Sequence, residues 1–238
     1  YKKNINLTIK KISELFGIKN EIVSCGTKIL HLSGINNNDK IFYSEEEIVE
    51  QRSNTNMKDI FLTKNNLENL KKSIAKNTDK IKIIRNLEKR DKISFKALNL
   101  IQKADIIIYS PGTPFSSLYP SYFVRGVGEI IKKNKNAKKI MITNIGSDYE
   151  TPKFSANDYI KNTIKFLNRD NTYKSNELIT HCIINDTSSK KKYYVKSKVN
   201  NTFIKNFKII KGNYENKLIQ GTHDANKLSK TLQNIILN

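Results

Sequence analysis

The chain of 238 residues carries 43 Lys and Arg against 22 Asp and Glu, a formal net charge of +21, and is long enough to bury one sizeable α/β core. No apolar run approaches the ~20 residues of a membrane helix and no signal-peptide core opens the chain, so no membrane partner is expected and the location read from sequence is cytoplasmic. Only five of the basic residues are Arg (52, 85, 90, 125 and 169), whereas nucleic-acid readers favour Arg forks, so the Lys excess reads as compositional and nucleic acid is not the expected partner.

In chain order, Ile9, Ile12, Leu15 and Phe16 predict a helix over residues 5–16 with one apolar face and Gly17 as its stop. EIVSCG (21–26), KILHLSG (28–34) and KIFYS (40–44) read as short strands, with NNND as the turn between the last two. EEEIVEQR (45–52) is polar and ambiguous, and MKDIFL (57–62) is a further strand. Leu67, Leu70 and Ile74 predict a helix over 64–76, KIKIIRN (80–86) reads as a strand, and Ser94 caps a helix whose apolar residues include Phe95, Leu98 and Ile101.

The clearest pattern follows. A strand at 104–110, a turn at 111–116, a helix over 117–133 and a strand at 138–144 form a βαβ unit. A turn over 145–154 leads to a helix capped by Ser155, with Asp158 completing a capping box, and then to the strand ITHCIIN (179–185). SKKKYYVKSK (189–198) reads as a solvated edge strand or hairpin. The last helix opens at Asp224 and turns Leu228, Leu232, Ile235 and Ile236 inward. The predicted class is α/β, Rossmann-like and doubly wound: a mainly parallel sheet with helices on both faces and a small β-rich insertion near the N-terminus.

Ligands of such sheets bind beyond the carboxyl ends of the strands. In SPGTPFSS, Gly112 permits close approach or a positive φ, Pro111 and Pro114 stiffen the turn, and Thr113, Ser116 and Ser117 offer hydroxyls. The free N–H groups of the next helix would add a partial positive charge suited to phosphate. The plainer alternative is a tight connection with Ser117 as N-cap. The second turn sets Asp148 and Glu150 beside Asn144 and Ser147; its carboxylates could bind sugar hydroxyls, hold Mg²⁺ through water, or cap the next helix, and spacing alone favours capping. Cys25 and Cys182 form no CxxC pair and read as reduced thiols. His31, His181 and His223 lack metal-site spacing and read as structural, with His223 the one nearest the sheet's end; Arg125 falls too far along its helix to touch a phosphate.

These residues resemble the superfamily of 2-phospho-L-lactate transferase and the gluconeogenesis factors. Its strand, Gly-Pro-Gly-Ser turn, Thr-Ser pair and Pro are matched by Ser110, Pro111, Gly112, Thr113, Ser116, Ser117 and Pro120, with Ser110 where Gly is usual. Its strand ending in Asn, then Gly-Glu-Thr and an Asp-bearing helix, are matched by Asn144, Glu150, Thr151 and Asp158; its His-Asp by His223 and Asp224. The resemblance runs from about residue 5 to the end, so 1–238 reads as one domain of this type, a C-terminal portion of a longer protein. The family's Gly-rich first strand–turn and its acidic pair have no counterpart here.

The resemblance implies a transferase moving a phospholactyl or related phosphate-linked group. Its phosphorylated, nucleotide-type ligand would contact Ser110, Gly112, Thr113, Ser116, Ser117, Asn144, Asp148, Glu150 and Thr151. No catalytic residue or metal ligand is assigned, and Mg²⁺ is the candidate cofactor, its ligands expected mainly in the missing N-terminal segment. The alternative is a non-catalytic, nucleotide-sugar-binding regulator like the gluconeogenesis factor; a basic nucleic-acid binder is the third reading. A homodimer is a possible assembly.

Overall fold

Strand alternation sets the architecture. In the segment 138–142, Ile140 and Ile142 point to one side and Met141 to the other, and all three are buried. In 181–185, Ile183 joins the first side and Cys182 and Ile184 the second. A strand apolar on both faces needs cover on both.

The structure is a computed structural model, which describes residues 5–75, 79–186 and 193–237. Its first half holds α1 (Ile5–Leu15), β1 (His31–Asn36), β2 (Ile41–Phe42), α2 (Glu45–Glu50), β3 (Met57–Thr63), a 3₁₀ turn (Leu67–Leu70), α3 (Lys71–Ala75), α4 (Lys80–Leu87) and α5 (Phe95–Lys103). The second holds β4 (Ile106–Tyr109), a π-type turn (Pro114–Leu118), α6 (Tyr119–Tyr122), α7 (Val127–Lys133), β5 (Lys138–Ile142), α8 (Ala156–Leu167), α9 (Ser175–Leu178), β6 (His181–Asn185), α10 (Asn201–Ile204), β7 (Lys208–Gly212) and α11 (Ala225–Leu237).

β4-β5-β6-β7 form a four-stranded sheet in that order, every pair parallel, and β2-β1-β3 form a small antiparallel sheet. Val127 and Ile131 of α7 and Ile160 of α8 pack on one face of the parallel sheet; Leu228, Leu232 and Ile235 of α11 pack on the other. The small sheet shares the first core through Leu32, Met57 and Ile60. It is tied to the end of α8 by Arg169, whose Nη1 donates to both oxygens of Asp59 at 3.0 and 3.1 Å and whose Nη2 donates to Glu88 at 3.3 Å. The expected α/β class, parallel sheet and N-terminal β-rich part are present.

Several local expectations are overturned. KIKIIRN is helix α4, because Ile84 and its partly buried neighbours Ile81 and Ile83 pack at helical spacing against Phe61 and Leu67. EIVSCG forms no strand: Ser24 and Cys25 give their carbonyls to Ser94 rather than to a ladder. The helix expected over 117–133 is broken between α6 and α7, where Gly126 takes φ 95° and its carbonyl starts the second helix. β7 was not foreseen. The apolar residues of α1 do not face inward, Leu15 and Phe16 being 80% and 73% exposed; Phe95 and Ile236 are likewise exposed. Gly17 does stop α1, at φ 63°. Residues 187–192, most of the expected basic hairpin's first half, lie outside the described residues, and the described part, Tyr194 and Lys196, makes bridges to Gly146 and Ser155.

One glycine marks the tightest helix contact. A Cβ on Gly128 of α7 would collide with the backbone carbonyl oxygen of Leu167, which cannot swing away as a side chain could. Gly128→Ala is therefore expected to destabilise the fold by about 2–3 kcal/mol, as overpacking does, despite alanine's better helix propensity. Urea denaturation measures this, and an unchanged midpoint would contradict the contact.

Candidate functional site

Because the sheet is parallel, the chain leaves β4, β5, β6 and β7 at one edge, where loops gather. The first turn is held from below. Phe115 is fully buried and meets Tyr119, Phe154 and Phe166 edge to face, with ring centroids 5.0–6.0 Å apart. Thr113, not Ser117, is the N-cap, Pro114 takes the first helical position, and the amides of Ser117 and Leu118 both turn back to the Thr113 carbonyl. Gly112 has no positive φ, and a Cβ there would only touch the Leu118 side chain.

Two bridges lace this turn to the second. Gly112 N donates to Asn144 Oδ1 and Asn144 Nδ2 donates to the Gly112 carbonyl, each at 3.0 Å. Glu150, 1% exposed, accepts from Phe115 N at 2.7 Å and from Ser116 N at 3.2 Å, and the Ser116 hydroxyl also bonds it. The amides expected to be free for a ligand are thus occupied by the protein's own carboxylate. Asp148 shapes the second turn: Oδ1 accepts from the amides of Glu150 and Thr151 and from the Thr151 hydroxyl, at 2.8–2.9 Å. Thr151 Oγ1 lies 2.8 Å from the buried Tyr159 hydroxyl.

The other two loops close around these. Gly146 N donates to the Gly221 carbonyl and Gly221 N to Glu215, while the His223 ring bonds the Thr143 carbonyl, with burial holding its pKa below the ordinary value. Asp224 caps the last helix through the amides of Asn226 and Lys227. Ser147 N donates to the Tyr193 carbonyl and Val195 N to that of Ile145, pinning the 193–195 segment beside the second turn.

All nine residues predicted for the site gather at this edge, in two groups. Asn144, Asp148, Glu150, Thr151, Gly112 and Ser116 spend polar groups on one another. The hydroxyls of Thr113, Ser110 and Ser117 have no partner among the described residues, and the last two residues are exposed. Arg125 sits in the break between α6 and α7, its backbone paired with Asp91 and Ile93. Sequence reasoning missed a neighbouring cleft of about 400 Å³ lined by Arg52, Ser53, Asn54, Ser147, Asp148, Tyr149, Pro152 and Tyr193. No local pattern marks Arg52; tertiary contacts, Lys153 N donating to Asn56 Oδ1 and Met57 N to the Glu150 carbonyl, bring its loop here.

Burial pushes the Glu150 carboxyl up to about 7, with Asp148 adding repulsion and the Ser116 and Phe115 hydrogen bonds opposing. Asp148 is raised too, again by burial. A carboxyl whose pKa is higher folded than unfolded holds extra protons in the folded state, so its contribution to stability is full below about pH 4.5 and lost as pH rises through 7. At 1.36 kcal/mol per unit the loss is about 3 kcal/mol. Glu150→Gln should remove this fall from the stability–pH curve between pH 4.5 and 7.5, read by denaturation at each pH; parallel curves for the two proteins would refute the assignment.

The 2-phospho-L-lactate transferase CofD family model matches residues 1–220. The gluconeogenesis factor of Halalkalibacterium halodurans is 34% identical over 90 residues, 37% of this chain and 28% of its own. A protein of Aquifex aeolicus carrying the gluconeogenesis-factor name is 25% identical over 158 residues, 66% of this chain and 41% of that one. The chain thus spans less than half the length of these curated relatives. In fold, a crystal structure of a UPF0052 family protein from Bacillus halodurans superposes with a TM-score of 0.70 at 19% identity, over 96% of this chain and 67% of the other. With its family model matched over almost the whole length, the chain belongs to the 2-phospho-L-lactate transferase CofD family.

Proposed function

We propose that the chain binds a phosphorylated, nucleotide-type ligand at the carboxyl edge of its parallel sheet, as the binding part of a protein that transfers a phospholactyl or related phosphate-linked group. One observation carries the reading: among the described residues, the hydroxyls of Ser110, Thr113 and Ser117 stand without partners beside a turn braced from Asn144 and Glu150. Hydroxyls on a rigid rim suit phosphate oxygens and lose little freedom on binding. Asn144, Asp148, Glu150 and Thr151 then act as the brace that fixes this rim.

Mg²⁺ is not well served by these residues. Asp148 Oδ1 and both oxygens of Glu150 are engaged, Asp148 Oδ2 is sealed from solvent, and no group of three His, Cys, Asp or Glu converges among the described residues. The reading therefore routes no step through a metal. The same spent carboxylates favour a second reading, a nucleotide-sugar-binding regulator, because neither acid is free to act as a general base.

Calorimetry with UDP, GDP and inorganic pyrophosphate tests the site. Binding of at least one is expected, with affinity falling tenfold or more in Thr113→Val/Ser117→Ala. Absence of binding at millimolar concentrations, or a variant as tight as wild type, would overturn the proposal.

A further inference from the structure

The cleft beside the second turn differs from two other clefts of similar volume in this basic chain. One is lined by Lys28, Lys64, Lys89 and Arg90 with Asp91; another by Lys92, Arg125 and Lys133 with Glu129. Here the lining holds one cation, Arg52, and one acid, Asp148, with Ser53, Asn54 and Ser147 as neutral polar groups. The Arg52 guanidinium carbon stands 4.1 Å from the centroid of the Tyr149 ring, and its Nη1 is positioned by the carbonyls of Val49 and Gln51. Tyr193 lines the same cleft, its backbone fixed by Ser147. Tyr149 and Tyr193 are 56% and 71% exposed and are the large exposed phenols among the described residues; Tyr43, Tyr109, Tyr119, Tyr159 and Tyr214 are all buried.

Resting on the phosphate-edge reading above, we infer that this cleft receives the planar heteroaromatic ring of the ligand, stacked against the Arg52–Tyr149 pair and Tyr193. A lining without net charge is a poor place for phosphates in a chain of +21, and a good one for the neutral part of the same molecule. A flat guanidinium and two phenols offer π surfaces that match a nucleobase. Its volume lies in the range of small-molecule sites, and Ser53, Asn54 and Ser147 supply the few polar groups that orient a ring edge. The order along the second turn fits one extended ligand: Ser147 and Tyr149 face the cleft, while Glu150 reaches across to the first turn.

The test compares UDP and GDP with inorganic pyrophosphate, which lacks the ring, by calorimetry on the full chain and on Tyr149→Ala, Tyr193→Ala and Tyr149→Phe, each with its melting temperature checked. Tyr149→Ala and Tyr193→Ala are expected to weaken nucleotide binding at least tenfold, as loss of a stacking ring does, and to leave pyrophosphate within twofold. Tyr149→Phe should keep wild-type affinity. Nucleotide affinity unchanged in both alanine variants, or pyrophosphate weakened in parallel, would overturn the ring cradle. So would a wild-type chain that binds pyrophosphate and nucleotides equally, which would leave the phosphate edge standing; failure to bind any of the three would remove both.

Discussion

The carboxylate of Glu150 on the amides of Phe115 and Ser116 is the constraint on which the edge of this molecule depends. Two loops separated by more than thirty residues would each be free to move over the sheet; this bridge and the Asn144–Gly112 pair make them one surface. An anion at the start of a helical turn satisfies donors that would otherwise be orphaned by burial. The carboxylate is itself held in a dry setting that penalises its charge. The brace is strong where it is hydrogen-bonded and sensitive where it is ionised.

Much of the parallel half was legible in the sequence. KKIMITN has the continuous apolarity of a strand covered on both sides; ADIIIYS is a strand too, but as the sheet's edge it leaves Ile108 exposed. The Ser155–Asp158 capping box formed as its spacing requires. Local pattern failed where tertiary packing decided. KIKIIRN carries β-branched residues suited to a strand, yet the contacts of Ile84 with Phe61 and Leu67 make it a helix. The apolar face of α1 obeys helical spacing and still lies largely in solvent, because periodicity reports an element's type and not what covers it.

The site was legible in membership more than in role. Short polar residues after strand ends identified the right turns, but which would brace and which would stay free depends on contacts across the edge. For Glu150, spacing favoured a cap on the next helix and the resemblance a ligand contact; it is buried and caps the preceding turn instead. The hydroxyls of Ser110 and Thr113 have no partner among the described residues. Arg52 and Tyr193 could not be linked to Tyr149 from sequence, since Arg52 lies nearly 100 residues before it and Tyr193 more than 40 after it.

The fastening of the small sheet by Arg169 has a bearing on how the edge works. That guanidinium grips Asp59 within β3, whose first amide, Met57 N, donates to the Glu150 carbonyl at 2.8 Å. The loop that carries Arg52 and the turn that carries Tyr149 are therefore anchored to a common frame. Such a frame favours lock-and-key recognition over closure around a guest, and selectivity would then reside in the fixed outline of the walls instead of in any motion of them.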